Sequence, residues 1–249
     1  MKIATWNVNG IRARQAQFLE WIATAKPDVV CLQELKAAPH QLAEELCDLA
    51  GYKCYWHGAT AYSGVSLHVC QDTVSHEPVF THPTFDRDTR VVEARIGDLC
   101  VASIYVPNGG KDYADKLRFL EELRQYTTER LSETDQLVLC GDLNVTRSDQ
   151  DVHKSERNPK SIGQRADERM LFEAILEEGV VDLAREMHPD DDGLFSWWAP
   201  WRDHRKRNIG WRIDYQLVSR AMAEQATGCW VEHEVGTSDH APVVAEFGG

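Results

Sequence analysis

Five side chains of this 249-residue chain could together run a hydrolytic centre: Glu34, Asp142, Asp214, Asp239 and His240. Each stands where an apolar run meets polar residues: Glu34 closes "VVCLQE", Asp142 sits in "VLCGDLN", Asp214 interrupts "RIDY", and Asp239 and His240 are neighbours in "TSDHAP". Asn7 and Asn9 ("KIATWNVNG"), Tyr105 and Asn108 ("IYVPNGG") and Asn144 interrupt other runs in the same way. One carboxylate at a strand end is ordinarily a cap or turn residue; six interruptions rich in Asn, Asp and Glu form a pattern. Clustered carboxylates with amide oxygens suit a hard divalent cation such as Mg²⁺, with Mn²⁺ as a substitute. A cation, a proton acceptor and several hydrogen-bond donors describe phosphate-ester hydrolysis, in which positioning and charge stabilisation supply most of the rate. Neither a GxSxG nucleophile elbow nor a GxxxxGK[ST] phosphate loop occurs.

To converge, these residues need a scaffold that brings strand ends together. Strands are predicted at "KIATW", "DVVCLQE", "GVSLHVC", "VVEARI", "LCVASIYVP", "QLVLCGDL", "RIDYQLVS" and "APVVAEF". Helices are predicted over 13–25, 40–50, 112–131 and 167–178, the last with Met170, Leu171, Ala174, Ile175 and Glu178 as one buried stripe. Such alternation means α/β layering, and strands that follow one another without a helix make the sheets mixed. Loops at one end of layered sheets are where ligand sites form. A single domain is expected, of two similar halves meeting near residue 130. Adjacent residues in extended chain point to opposite faces, so Asp239 and His240 must serve different partners.

A formal charge of -13 excludes a general polyanion-coating protein. Cations nevertheless cluster: Arg202, Arg205, Lys206, Arg207 and Arg212 in one stretch, Lys154, Arg157, Lys160, Arg165 and Arg169 in another. An acidic body with basic loops fits a protein that holds phosphates at one face. Trp6 and Trp21 read as core and Trp198 as a structural corner, while Trp197, Trp201 and Trp211 share a segment with the first basic cluster. Seven cysteines form no CxxC pair, which argues against zinc and a disulfide framework and for a reducing, cytoplasmic setting. No signal peptide or membrane-spanning run is expected, and nothing suggests more than a monomer.

The motifs "WNVNGIRA", "CLQELK", "YSGVSL", "YVPNGG", "GDLNV", "GWRIDYQLVS" and "SDHAPV" follow in order from Lys2 to Phe247. Taken together they resemble the exonuclease III / AP endonuclease family of the endonuclease/exonuclease/phosphatase superfamily. The resemblance implies a four-layer α/β sandwich, two mixed β-sheets packed face to face with helices outside. It implies Glu34 as principal metal ligand with Asn7 and Asp239 nearby, and Asp142 orienting or deprotonating the attacking water beside Asn144. Asp214 would hydrogen-bond His240, which contacts the scissile phosphate together with Tyr105 and Asn108. Asn9, Arg12, Tyr62, Ser63, Lys111 and Asn208 match positions that contact DNA. Trp197, Trp211 and Ile213 would wall a slot for a base-free sugar, and Trp201 stands where the family inserts a residue into the duplex.

The implied activity is Mg²⁺-dependent hydrolysis of the phosphodiester 5′ to an abasic site, with 3′-phosphodiesterase and 3′-5′ exonuclease activity on duplex DNA carrying abasic sites or blocked 3′ ends. Alternatives are a mainly 3′-5′ exonuclease, or the same fold acting on RNA ends or small phosphodiesters. A silent binding module would have lost one of the key positions, and all are present. Departures are local: "ATA" precedes "YSGVSL" where a basic residue and a glycine are usual, Gln164 replaces a frequent aromatic, and Gly163 is expected to leave room for a lesion strand.

Overall fold

A computed structural model describes residues 1–248. Its elements run β1 (Lys2–Asn7), α1 (Ile11–Ala25), β2 (Val29–Gln33), α2 (Glu44–Cys47), β3 (Tyr52–Ala59), β4 (Tyr62–Cys70), β5 (Val79–Thr81), β6 (Val91–Ile96) and β7 (Leu99–Tyr105). They continue with α3 (Tyr113–Glu133), β8 (Leu137–Asp142), α4 (Ala166–Glu177), β9 (Val180–Asp182), α5 (Leu183–Met187), β10 (Trp197–Trp198), β11 (Gly210–Trp211), β12 (Asp214–Ser219), α6 (Arg220–Gln225), β13 (Ala226–Val231) and β14 (Val243–Phe247).

Two six-stranded sheets form, ordered β13-β14-β1-β2-β4-β3 and β5-β6-β7-β8-β12-β9, with β10-β11 as a separate ribbon. Each sheet is mixed: β1 and β2 pair in parallel in one, β7 and β8 in the other, and all other pairs are antiparallel. The central strands are buried on both faces and therefore read as nearly continuous apolar runs, "KIATW" and "LVLC" among them. Between the sheets lies a core of Ile3, Cys31, Leu67, Val101, Val138 and Val243 with their neighbours. Phe18, Trp21 and Ile22 of α1 cover the outer face of the first sheet, and Phe119, Leu123 and Tyr126 of α3 with Phe172 and Ile175 of α4 cover that of the second. The result is the four-layer sandwich. Polar groups also cross between the sheets, with Gln33 donating to Ser103 Oγ and Gln216 to the Ile3 and Val243 carbonyls.

All eight predicted strands are present. Residues 40–50 are not one helix: a 3-10 turn (Pro39–Gln41) and the four-residue α2 are separated by extended Leu42 and Ala43. Gln41 folds back onto the Ala38 N–H, and Leu46 is drawn into the core under α1, so tertiary packing overrides the local helical pattern. The buried stripe of α4 also differs from expectation, running through Glu168, Phe172 and Ile175 while Met170 is 67% exposed. All seven cysteines are unpaired. Among the described residues no helix is long and apolar enough to cross a membrane.

Candidate active site

The parallel pairings align the strand ends. Tyr105 closes β7 beside Asp142, which closes β8, and Asp214 opens β12 directly across from Asp142. Gly141 allows that approach: at φ +147° a Cβ there would lie 1.9 Å from the Ile104 carbonyl oxygen. In the first sheet Asn7 ends β1 next to Gln33, and Glu34 follows at once. Asn9, Glu34, Lys36 and Asn144 all take left-handed backbone conformations, at φ 45°, 57°, 52° and 53°. Such values are uncommon for residues with a Cβ and collect at sites whose geometry is imposed by function. Their side chains, with Tyr105, Asn108, Asp142, Asp239 and His240, line a cleft of about 260 Å³, walled on one side by Trp197, Trp211 and Ile213.

Asp214, not Asp239, holds the His240 ring, His240 Nδ1 standing 2.9 Å from Asp214 Oδ2. Burial opposes a cationic His240, but the charge and hydrogen bond of Asp214, helped by Asp142 and Asp239, overcome it and raise the pKa to about 10. At neutral pH the ring is an imidazolium, its Nε2 3.9 Å from Asp142 Oδ2. Asp142 is itself pushed up to about 7, chiefly by burial and then by Asp214 and Glu34, against lowering by His240 and Asn7. Asn7 Nδ2 donates to Asp142 Oδ2 at 2.8 Å and the Asn144 N–H to Asp142 Oδ1 at 2.9 Å. Asp239 faces away and accepts from Asn9 Nδ2 (2.8 Å) and Trp197 Nε1 (3.0 Å). Burial works against its charge, yet His240 and these two donors hold its carboxyl below the ordinary range. Tyr105 is pushed up by burial and by the Glu34 and Asp142 charges, so its phenol stays protonated.

The donor set fits a hard cation. Lys36 Nζ lies 2.8 Å from Glu34 Oε1 and 2.6 Å from Asn9 Oδ1, an ammonium already bridging a carboxylate and an amide oxygen. Donor atoms of Asp142, Asp214 and His240 also lie within 4.8 Å of one another. Glu34, Asn9 and Asp239 line the same cleft and add further oxygen donors beside that group.

Other expected contact residues diverge. Arg12 and Lys111 are exposed and Tyr62 is 50% exposed, its hydroxyl accepting from Arg90. Ser63 is buried, with its hydroxyl bonded to the Asp88 carbonyl and Thr89. Asn208 turns its amide inward, accepting from Trp198 Nε1 and donating to the Gly193 carbonyl. Gly163 does not leave open space: it is buried, and a Cβ would meet the Trp211 ring at 2.9 Å. Gln164 is buried and ties Asn158 to Glu156 within its loop. Two cations of the basic segment are structural. Arg212, 1% exposed, is clamped by Asp151 and Asp182, and Arg205 donates to the His233, Val235 and Ser238 carbonyls. Trp201 stands 59% exposed and lines a neighbouring pocket that shares Asn9 and Asp239 with the cleft.

Sequence reasoning gave no role to three supporting groups. Ser196 Oγ donates to Asp214 Oδ2 (2.6 Å) and accepts the Ile213 and Asp214 N–H groups. Arg90 lies over the Tyr105 ring at 4.7 Å, and fully buried Lys116, paired with Glu168, donates to the Asn144 carbonyl at 2.7 Å. Lys116 carried no local signal, since its spacing in α3 looks like that of any surface lysine.

Residues 4–240 match the family model described as the endonuclease/exonuclease/phosphatase family. The chain belongs to that family. It is 34% identical to the exodeoxyribonuclease of Bacillus subtilis (strain 168), over 98% of both chains. It is 32% identical to the DNA repair nuclease APEX1 of Danio rerio, over 98% of this chain and 81% of that one. Among solved structures it superimposes with a TM-score of 0.91 on the 3′ phosphatase NExo from Neisseria bound to a product DNA hairpin (30% identity, all of both chains). The AP endonuclease from Archaeoglobus fulgidus gives a TM-score of 0.89 (30% identity, 99% of both).

Proposed function

We propose that this family member is a Mg²⁺-dependent DNA repair nuclease that cleaves the phosphodiester 5′ to an abasic site and removes blocking groups and nucleotides from 3′ ends of duplex DNA. The observation that carries the reading is the His240 ring, held by Asp214, with its other nitrogen 3.9 Å from Asp142 in a cleft that Trp197 and Trp211 also line. Glu34, with Asn7 and Asp239 nearby, would hold the ion, which supplies Lewis acidity at a phosphate oxygen. Mn²⁺ would substitute.

Asp142 orients the attacking water and takes its proton, with Asn7 and the Asn144 N–H fixing the carboxylate. His240 meets the charge that develops on the phosphoryl oxygens. Tyr105, kept protonated by burial, stands ready to donate to the leaving oxygen, and Asn108 lines the same phosphate. Trp197, Trp211 and Ile213 offer a flat apolar slot that takes a base-free sugar. Extruding an abasic nucleotide avoids the unstacking cost of a real base, and exposed Trp201 can fill the gap left in the duplex. Asn9, Arg12, Tyr62 and Lys111 form the flanking backbone contacts. The protein acts as a monomer in the cytoplasm, as one domain.

Incision of a labelled abasic duplex, beside matched and 3′-mismatched ends, tests this. Cutting 5′ to the lesion, abolished by EDTA and by Asp142→Ala, is expected. An intact protein that leaves the duplex uncut across a range of Mg²⁺ concentrations overturns it; faster trimming of plain 3′ ends than of the lesion makes the enzyme mainly an exonuclease.

A further inference from the structure

A second group of potential metal ligands lies outside the acidic cleft, at one free edge of each sheet. His57 is near the end of β3, the edge of the first sheet, and His82 directly follows β5, the edge of the second. Asp86 sits in the loop leading from β5 to β6. A donor atom from each of the three lies within 4.8 Å of the other two. The arrangement is pre-oriented as metal sites are. His82 Nδ1 lies 3.0 Å from the Val91 carbonyl, the outer bond that fixes the tautomer of a ligating histidine and leaves Nε2 as the lone-pair nitrogen. That Nε2 now accepts from the Tyr55 hydroxyl at 2.9 Å. Asp86 spends Oδ1 on the Arg90 and Val91 N–H groups, which aims Oδ2 at His57 Nε2, 2.6 Å away. The two imidazole rings face each other at 34°, their centroids 3.9 Å apart.

We propose that His57, His82 and Asp86 form a binding site for a zinc-class transition-metal ion that bolts the free edges of the two sheets together. Two imidazoles and one carboxylate suit zinc rather than magnesium, which prefers all-oxygen octahedral shells. At ligand distances of about 2.0–2.2 Å, with water as fourth ligand, His57 and Asp86 separate slightly and His82 exchanges its tyrosine bond for the metal. The ion would also brace the turn that ends in Arg90, the residue lying over Tyr62 and Tyr105. None of the three ligands lines the acidic cleft, so the site stands or falls apart from the hydrolytic reading.

The chelator-stripped 249-residue chain is titrated with Co²⁺ in excess Mg²⁺, which occupies hard oxygen sites. One saturable equivalent with intense visible bands of tetrahedral cobalt is expected, weakened more than about tenfold in His82→Asn and His57→Asn and unchanged in Asp142→Asn. No saturable binding, binding indifferent to both histidine variants, or binding lost in Asp142→Asn overturns the proposal. X-ray absorption of the zinc-loaded wild type reads the ligands without any variant: two imidazoles are expected, and sulfur ligation or none refutes the site.

Discussion

Asp214→Asn removes one charge from the centre of the site while keeping its shape and an acceptor for His240 Nδ1. The rise of the His240 pKa from 6.5 to about 10 corresponds to about 5 kcal/mol, at about 1.4 kcal/mol per decade. Breaking a buried pair costs about 3–5 kcal/mol by experience with other proteins, which agrees. Because the folded-state pKa lies above the unfolded value, this stability is fully present below pH 6.5 and is lost as pH rises through about 10. Thermal unfolding should therefore separate wild type from variant most at pH 6, by about 6–20 °C for a chain of this size, and hardly at all at pH 10. With Asp214 gone, burial favours the neutral ring at assay pH, and losing one charged stabiliser of the phosphoryl oxygens costs about 10²–10³ in kcat. The ratio of wild-type to variant rates should grow between pH 6 and 9, because the wild-type ring keeps its proton over that range and the variant ring does not. Equal melting temperatures at pH 6, a gap that does not narrow by pH 10, or a rate ratio independent of pH would refute the assignment of His240 as an Asp214-stabilised cation.

Asp142→Asn should abolish incision yet raise the melting temperature at pH 8. Its folded-state pKa of about 7 lies above the unfolded value, so the stability tied to its proton is full below the unfolded value and is lost as pH rises through about 7; paired activity and calorimetry measurements check both signs. Trp201→Ala should raise KM for an abasic duplex about 5–150-fold, equivalent to the ~1–3 kcal/mol of a lost stack, with kcat and melting temperature unchanged. In binding isotherms at graded salt, neutralising exposed Lys154, Lys160 or Arg202 should each lower the log-log slope by about 0.9. Arg212→Met in the same assay should leave the slope unchanged.

What the sequence reveals follows burial. The eight legible strands lie inside the sheets, covered on both faces, and their apolar runs are local facts. The strands that escaped detection include β3, β5, β9 and β13, the four edges of the two sheets; β9 is buried but only three residues long. An edge strand such as "YKCYWHGA" is only half-buried along almost its whole length, so selection for apolar residues is weak and the alternation blurs. The site divides in the same way. Residue types at strand ends announce the chemistry, because the chain must turn polar where it meets the cleft. Partnerships across the fold are silent: Ser196 reaches Asp214, and Trp197 reaches Asp239, only because β10 is laid against the turn at His240. The basic segment misleads for a related reason. Sequence counts Arg205 and Arg212 as surface charge, whereas one gathers loop carbonyls and the other neutralises two buried aspartates.

The left-handed residues around the cleft set stability against activity at the same positions. Asn9, Glu34, Lys36 and Asn144 each hold a conformation that costs a residue with a Cβ about 1–2 kcal/mol and costs glycine nothing. A selection for heat resistance alone would drive these four towards glycine, hardening the protein while erasing its carboxylate, its ammonium and two amides. On the proposed reading of the cleft, these four positions are where the chain stops short of the most stable sequence its fold admits.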